Sequence, residues 1–279
     1  MPYFEDGHFY SPVVDPAQAR RSASTLWPSG DPHLALDVDL AHDTQCRTIS
    51  EILRPHLGDF DYAPGYGEQS ANRFRMDNDQ FSGLDARLLF CFLRHYTPRR
   101  IVEVGSGYST LLMCDVNRRF LGGRTSIECV EPFPREFLLG MGGEIDLHRL
   151  PVQQVPMAVF DRLQAGDILF IDSSHVAKTG SDVNHLFFEV LPRLAAGVIV
   201  HVHDIFLPFE YPEHWVVNER RSWNEQYLLR ALLMGSNSYE VPFGAAYADR
   251  YLQVELKAAH GSAGQDYRGG ASFWMAKRR

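Results

Sequence analysis

The sequence predicts an α/β protein built on a doubly wound parallel sheet, and three observations support this fold class. From Arg100 onward, short apolar segments alternate with segments of helical periodicity. The short segments are apolar almost throughout, as expected for parallel strands that helices cover on both faces. The first of them, Ile101–Val104, runs directly into a glycine-containing turn, which is where such sheets bind ligands. We therefore expect an α/β domain over residues 99–279, preceded by a partly helical cap segment over residues 1–98.

The predicted elements follow one another in a regular order. In the turn-rich cap segment, residues 49–57 and 84–96 carry apolar side chains at helical spacing, and Ser82 is in position to cap the second of these helices. Further helices are expected after the glycine turn, over residues 183–194 and over residues 223–234. The expected strands are Ile101–Val104, Ser126–Val130, Ile145–Leu150, Ile168–Ile171, Val198–Val202, Tyr239–Val241 and Ser272–Ala276.

Composition and charge argue against several classes of partner. The 279 residues include 27 Lys and Arg against 35 Asp and Glu, a net charge of −8 without a basic stripe, so we expect no nucleic-acid partner. No apolar run reaches bilayer length, so we expect no membrane partner. The N-terminus lacks the pattern of a signal peptide and the cysteines form no Cys-x-x-Cys pair, which favours a cytoplasmic protein with reduced thiols. A homo-oligomer stays open.

The turn after the first strand predicts a nucleoside site. Gly105 and Gly107 let the backbone approach a ligand closely, and the helix that follows presents free N–H groups. Glu131 ends the second strand, where an acid can accept hydrogen bonds from ribose hydroxyls. A tight strand-to-helix turn without a ligand is the structural alternative. The candidate cofactor-binding residues are Glu103, Gly105, Ser106, Gly107, Ser109, Thr110, Glu131 and Asp172.

The residues of this loop favour a sulfonium nucleoside over NAD. The dinucleotide pattern Gly-x-Gly-x-x-Gly needs a third glycine, and Thr110 stands in that place. A carboxylate at Glu103 would repel a pyrophosphate but tolerate a cationic ligand. An NAD-dependent oxidoreductase and a non-catalytic nucleoside-binding protein remain the alternatives. The chain has no Gly-x-Ser-x-Gly elbow and no P-loop pattern, which argues against a hydrolase of that type and against P-loop phosphoryl transfer.

With these residues, the sequence resembles the class I S-adenosylmethionine-dependent methyltransferases over most of its length. The first family motif is the segment 103–110, Glu131 is the ribose acid, and the segment 167–172 is the fourth strand with its motif. The resemblance implies a Rossmann-like class I methyltransferase sheet, S-adenosylmethionine as the cofactor and a small-molecule acceptor substrate. Within that superfamily the chain is similar to a bacterial small-molecule branch through the segments 170–175, 180–183, 191–192 and 202–206.

Four side chains mark a candidate reaction centre. Asp172 and Asp204 end two strands that are expected to be adjacent, His175 follows Asp172 by three residues, and His203 directly precedes Asp204. In enzymes similar to catechol O-methyltransferase, two such aspartates and a following asparagine bind Mg²⁺, and a lysine serves as the base. The resemblance places Asp172 and Asp204 on the aspartates and His175 on the lysine, whereas Ile205 stands in the asparagine position and cannot ligate. Mg²⁺ or another divalent cation at the two aspartates therefore stays an open expectation.

We expect methyl transfer from S-adenosylmethionine to a hydroxyl group of a small molecule, such as a sugar or a natural product. The reaction is an in-line displacement, in which positioning supplies roughly 7–11 kcal/mol and a general base about 3–5 kcal/mol. His175 is the preferred base by its position, and His203 is the second candidate; a purely structural role is the alternative for His175. Methylation of an amine, which needs neither base nor metal, is the alternative reaction.

Further residues are expected around this centre. Phe81, with Asn78 and Gln80, lies where the cap segment would meet the cofactor. His201 is two residues before His203 on the same strand and is expected to be a satisfied core residue rather than a metal ligand. Aromatic residues after the fifth strand either wall a substrate pocket or pack in the core: Phe206, Phe209, Tyr211, Trp215 and Trp223.

Overall fold

A seven-stranded sheet forms the centre of the computed structural model, which describes residues 3–29, 38–62, 72–260 and 269–279. The strands are β1 (Arg100–Val104), β2 (Ser126–Val130), β3 (Asp146–His148), β4 (Ile168–Ile171), β5 (Ile199–Val202), β6 (Tyr239–Gly244) and β7 (Phe273–Lys277). They lie in the order β3-β2-β1-β4-β5-β7-β6. All pairs are parallel except the two that β7 makes with β5 and β6.

The strand order reverses at β1, which fixes where a ligand can bind. β2 and β3 lie on one side of β1, and β4 and β5 lie on the other. The carboxyl ends of β1 and β4 therefore border the crevice in which doubly wound sheets bind ligands. Every residue of β4 and β5 is buried, as expected for strands covered on both faces. The predicted α/β fold is confirmed, whereas the sheet is mixed rather than parallel because β7 lies antiparallel between β5 and β6.

The helices flank this sheet, and two of the predicted ones are irregular. Wide π-helical turns occupy Ile49–Leu53 and Leu186–Val190, and 3₁₀ turns occupy Val152–Gln154 and Leu191–Arg193. None of the helices in the described ranges is long and apolar enough to cross a membrane. The α-helices of the described residues are α1 (Pro16–Arg21), α2 (Ala23–Leu26), α3 (His42–Thr48), α4 (Arg54–Leu57), α5 (Gly83–Tyr96), α6 (Tyr108–Phe120), α7 (Glu136–Leu139), α8 (Ala158–Asp161), α9 (Asp182–His185), α10 (Glu213–Val217), α11 (Glu225–Leu233), α12 (Ala245–Tyr251) and α13 (Gln253–His260).

The later part of the predicted cap segment packs into the main core. Ser82 precedes α5 as predicted, although its side chain makes no capping hydrogen bond. α5 packs on α6, and its residues Leu88 and Phe92 are fully buried. The ring of Phe92 stacks on Trp274 of β7, with 4.1 Å between the ring centroids. The boundary predicted after residue 98 therefore does not separate two hydrophobic cores.

The first residues of the chain belong instead to a second, smaller apolar cluster. Ala19 of α1 is buried there with Tyr211, Val216 and Val217 from the segment after β5. The indole Nε1 of Trp27 donates a hydrogen bond to the carbonyl oxygen of Tyr211 at 2.8 Å. We call residues 206–227 the post-β5 segment; it connects the N-terminus of the chain with the carboxyl edge of the sheet.

Candidate active site

The two glycines of the loop after β1 are required for different reasons. Gly105 has a φ of +84°, and a Cβ atom there would lie 1.7 Å from the carbonyl oxygen of Asp172 at the end of β4. Only glycine fits this position, because the two strand ends touch through the backbone. A Cβ atom at Gly107 would meet nothing within 4 Å. Gly107 therefore borders open space at the N-terminus of α6, where a ligand can approach the backbone.

Beneath this loop lies a buried acid. The carboxylate of Glu103 accepts hydrogen bonds from the hydroxyl groups of Ser109 at 2.6 Å and Thr110 at 2.5 Å. Thr110 Oγ1 in turn accepts a hydrogen bond from the Gly107 N–H at 3.1 Å. Burial raises the pKa of the Glu103 carboxyl to about 7. These side chains stabilise the loop from below in the structure, and direct contact between them and a cofactor stays a prediction.

Glu131 borders the loop from the neighbouring strand. It follows β2, and its carboxylate accepts hydrogen bonds from the backbone N–H groups of Ser106 at 3.3 Å and Phe133 at 2.8 Å. Its side chain is partly exposed. An acid held beside the glycine loop in this way fits the expected ribose contact, which stays a prediction.

The structure brings Asp172, His175 and Asp204 together. The Nε2 atom of His175 lies 3.4 Å from Asp172 Oδ1 and 3.4 Å from Asp204 Oδ2. The side chain of Asp172 is 31% exposed, that of Asp204 14% and that of His175 7%. His203, the fourth predicted residue, has its Nε2 atom 3.7 Å from Asp204 Oδ1. Asp172 thus offers the most accessible polar group of the cluster.

A third carboxylate, which the sequence did not predict, completes this cluster. Glu225 begins α11, its side chain is fully buried, and its Oε2 atom lies 2.9 Å from Nδ1 of His175. The start of α11 is held in place because the N–H groups of Asn224 and Glu225 both donate to the carbonyl oxygen of His175. Glu225 is 50 residues from His175, so no local spacing pattern could have indicated the pair. A glutamate in the first turn of a predicted helix was the available signal.

The charges of the cluster depend on one another. Burial opposes the charged form of His175, but the carboxylates of Asp172 and Glu225 raise its pKa to about 10. Burial also opposes ionisation of Asp172, yet His203 and His175 hold the pKa of its carboxyl below the usual value. Burial raises the pKa of Asp204 and of Glu225. The pKa of His203 is raised as well, because Asp204 and Asp172 outweigh its burial.

The backbone at this cluster adopts unusual conformations. His175 and Asp204 have φ angles of +60° and +56°. Residues other than glycine seldom adopt this left-handed region, although His and Asp do so more readily than most. Such positions concentrate at functional sites, where the surrounding structure holds them.

Comparison with known proteins assigns the family. A family model described as a methyltransferase domain matches residues 102–205. The matched residues begin within β1, contain the glycine loop and Asp172, and end just after Asp204. The chain contains a methyltransferase domain, and its fold is that of the class I S-adenosylmethionine-dependent methyltransferases.

Three individual proteins that match this methyltransferase share between 10% and 32% sequence identity with it. An uncharacterized protein from Archaeoglobus fulgidus is 32% identical over 164 residues, which are 58% of this chain and 74% of that protein. Among solved structures, the plantazolicin methyltransferase BpumL gives a TM-score of 0.45 at 10% identity, with 68% of this chain and 83% of that chain covered. The mycinamycin-pathway methyltransferase MycE gives a TM-score of 0.35 at 15% identity, with 67% of this chain and 47% of that chain covered.

Within the methyltransferase site, carboxylates on both sides of the ring set the charge of His175. Both ring nitrogens of His175 face carboxylates, and a pKa of about 10 leaves the imidazole protonated at neutral pH. A protonated ring has no lone pair with which to accept a proton. Without a metal ion, the protonated ring balances the charge of the aspartates. The role of His175 as the base stays a prediction.

The remaining predicted residues divide between the site and the core. Phe81 packs against His203 at 5.3 Å between ring centroids, so the cap segment does reach the reaction centre. The ring of Trp223 lies against that of His175, with 4.3 Å between the ring centroids. The guanidinium group of Arg221 lies over the Trp223 ring. His201 stacks on Phe170 at 3.8 Å, and burial holds its pKa well below the usual value, so it is a neutral core residue. Its Nε2 atom lies 3.0 Å from the Ser272 hydroxyl, whereas its buried Nδ1 atom has no hydrogen-bond partner among the described residues.

Proposed function

We propose that this methyltransferase transfers the methyl group of S-adenosylmethionine to a hydroxyl group of a small molecule. The observation that carries the proposal is the contact between the glycine loop and the acid cluster. Gly105 lies against the backbone of Asp172, and the side chain of Asp172 is the most accessible group of the cluster. A cofactor held by the loop would therefore present its methyl group beside Asp172 and Asp204.

The two halves of the site have separate tasks in this proposal. Gly107 and the N-terminus of α6 approach the cofactor, and Glu131 accepts hydrogen bonds from its ribose. Asp172 and Asp204 accept a hydrogen bond from the acceptor hydroxyl and orient its oxygen toward the sulfonium methyl group. Since orientation supplies roughly 7–11 kcal/mol, holding the hydroxyl in line contributes more than proton removal does.

The proton of the acceptor must leave as the new bond forms. The oxygen attacks the methyl carbon, the carbon–sulfur bond breaks, and its electron pair remains on sulfur, which becomes a neutral thioether. The hydroxyl proton passes to the carboxylate of Asp172 and from there to solvent. This carboxylate is ionised at neutral pH because His203 and His175 hold its pKa below the usual value despite its burial. The products are a methyl ether, S-adenosylhomocysteine and one proton.

A divalent cation at this centre is compatible with the residues present. Asp172, His175 and Asp204 each offer one donor atom, and these atoms lie within 4.8 Å of one another. A cation held there would replace the charge of the His175 proton and lower the pKa of a bound hydroxyl group. Ile205 contributes nothing, since its buried side chain has no ligand atom.

The test combines binding and turnover. Calorimetric titration should give micromolar affinity for S-adenosylmethionine and S-adenosylhomocysteine and no binding of NAD. Transfer of a labelled methyl group is then measured on a panel of phenols, sugars and the matching amines. Asp172→Asn should lower turnover of the active hydroxyl compound by about 10²–10³-fold. The control Asp161→Asn alters only a surface ion pair with Arg193 and should leave turnover unchanged.

Each outcome bears on one part of the proposal. NAD binding without binding of the sulfur nucleosides would overturn the cofactor. Transfer to amines alone would overturn the hydroxyl acceptor, and a fully active Asp172→Asn variant would overturn the role of that residue.

A further inference from the structure

We propose that His175 is the third ligand of a transition-metal site at Asp172 and Asp204, and that Glu225 orients the imidazole for this role. The inference rests on the proposed function, because the cation would bind the acceptor of the same reaction. It names two residues and a class of metal ion that the proposed function does not require.

The spacing of the donor atoms is the first argument. His175 Nε2 is 3.4 Å from one oxygen of each aspartate, which is longer than a charged hydrogen bond of about 2.7–2.9 Å. Three ligands bound at roughly 2.0–2.2 Å to one ion stand about 3–3.5 Å apart. Two of the three separations between donor atoms therefore match those around a bound metal ion, and the third is within 4.8 Å.

The second argument is the contact on the other side of the ring. Histidines that bind metals almost always donate their second N–H group to a carboxylate, a carbonyl oxygen or water. Nδ1 of His175 lies 2.9 Å from Glu225 Oε2, and Glu225 is fully buried. This hydrogen bond holds the ring with Nε2 toward the aspartates, so that a metal ion which displaces the Nε2 proton would meet the lone pair there.

The rigidity of the ring is the third argument. Trp223 lies against its face, and the backbone carbonyl of His175 accepts hydrogen bonds from the first residues of α11. The ring cannot turn away from the aspartates without losing its contact with Trp223 and its hydrogen bond to Glu225. Because Ile205 has no donor atom, His175 supplies the third side-chain ligand at this centre.

The donor set also selects the metal. Mg²⁺ prefers oxygen ligands in near-ideal octahedral geometry, whereas an imidazole nitrogen favours iron, cobalt, nickel or zinc. Two carboxylates and one imidazole should therefore bind Co²⁺ or Zn²⁺ more tightly than Mg²⁺, and the preference should depend on His175.

A second histidine–carboxylate group in the chain provides a matched control. Glu128, Asp146 and His148 lie together at β2 and β3, and His148 Nε2 is 3.3 Å from Glu128. Arg162 already donates to both carboxylate oxygens of Glu128 at 2.9 Å. A variant at His148 thus removes a histidine next to a carboxylate without affecting the proposed metal ligands.

The experiment titrates the full-length protein with CoCl₂ and with MgCl₂, followed by calorimetry and by the visible absorption of bound cobalt. The wild type should bind one Co²⁺. Glu225→Gln should weaken Co²⁺ binding by about 10–100-fold. His175→Asn exchanges the nitrogen ligand for an oxygen ligand and should lower the ratio of Co²⁺ to Mg²⁺ affinity at least tenfold, whereas His148→Asn should leave it unchanged. Circular dichroism confirms that each variant folds, and His175→Gln serves if His175→Asn does not.

The same preparations are titrated with S-adenosylmethionine, so that the two proposals fail separately. Absence of Co²⁺ binding, or equal Co²⁺ binding by wild type and the His175 variant, would overturn the metal site and leave the methyl transfer standing. Co²⁺ binding that depends on His175 in a protein that does not bind S-adenosylmethionine would support the metal site and overturn the proposed reaction.

Discussion

At the scale of single residues, Gly105 and Gly107 form a matched pair. Gly105→Ala would push a Cβ atom against the Asp172 carbonyl at a φ of +84°, so we expect a loss of at least about 2–3 kcal/mol of folding stability. In Gly107→Ala the added Cβ atom meets open space, so the loss of folding stability should be under about 1 kcal/mol. The substitution should instead weaken S-adenosylmethionine binding about tenfold or more, because the methyl group occupies space next to the backbone.

Thermal unfolding and calorimetric titration of both variants check this prediction. Equal losses of stability in the two variants would contradict the assignment of one glycine to packing and the other to binding. Full cofactor affinity in Gly107→Ala would show that the ligand does not approach this side of the loop.

Glu103 gives a prediction about pH. Its folded-state pKa of about 7 lies above the ordinary value of 4.5, so the folded protein holds this proton more tightly than the unfolded chain does. The resulting stabilisation is fully present below pH 4.5 and is lost as the pH rises through about 7. The loss amounts to about 3 kcal/mol at 1.36 kcal/mol per pKa unit. The side chain of Glu103→Gln stays neutral at every pH, so this variant should not show that loss of stability.

Denaturant unfolding between pH 4.5 and pH 8.5 measures the difference between wild type and Glu103→Gln. The free energy of unfolding of Glu103→Gln should rise relative to that of the wild type as the pH increases. The exposed Glu213→Gln serves as the control and should follow the wild type throughout. Parallel curves for Glu103→Gln would mean that Glu103 is ionised over the whole range.

The residues of the reaction centre were predictable to different degrees. Asp172 and Asp204 end adjacent parallel strands, so their proximity follows from the strand pattern, and His175 lies close in sequence. The inward direction of Glu103 could not be read from the sequence, because a strand-end acid can face either the cleft or the space below the loop. Glu225 reaches the site through the packing of α11, which no pattern of spacing encodes.

At the scale of elements, the strands were predictable because burial on both faces demands continuous apolar segments. The direction of β7 was not, since its apolar segment would suit either orientation. The π-helical turns at Ile49–Leu53 and Leu186–Val190 were also missed, because an apolar stripe at helical spacing does not reveal a single wide turn. The packing of α5 against the sheet depends on tertiary contacts such as Phe92 with Trp274.

The N-terminal helices give the prediction at this scale. α1 packs on α10 through the smaller apolar cluster, and the N–H of Val14 donates to the hydroxyl of Ser222 at 3.0 Å. Removal of residues 1–29 should therefore loosen the post-β5 segment, which includes Trp223 at the reaction centre. Amide hydrogen exchange should become at least tenfold faster over residues 206–227, while the glycine loop and S-adenosylmethionine affinity change little.

Trp27→Phe is the conservative counterpart of this truncation. It keeps an aromatic ring in the cluster but removes the hydrogen bond to the Tyr211 carbonyl, so its exchange rates should fall between those of wild type and the truncated chain. Unchanged exchange over the post-β5 segment in the truncated protein would show that this segment is held by the sheet alone.

At the scale of the whole molecule, the cofactor should act as a stabilising ligand. A ligand that binds only the folded state adds about 2.7 kcal/mol at 100 times its dissociation constant. For a chain of this size, each kcal/mol raises the melting temperature by about 2 °C, so saturating S-adenosylmethionine or S-adenosylhomocysteine should raise it by about 5 °C. NAD at the same concentration should have no effect.

The glycine loop follows β1 and contacts the end of β4 at the centre of the sheet. Ligand binding at this loop should therefore stabilise the molecule as one unit. A single cooperative transition should therefore shift, and Gly107→Ala should reduce the shift at equal ligand concentration. A shift confined to one of two transitions would contradict the view that the later part of the cap segment and the sheet share one core.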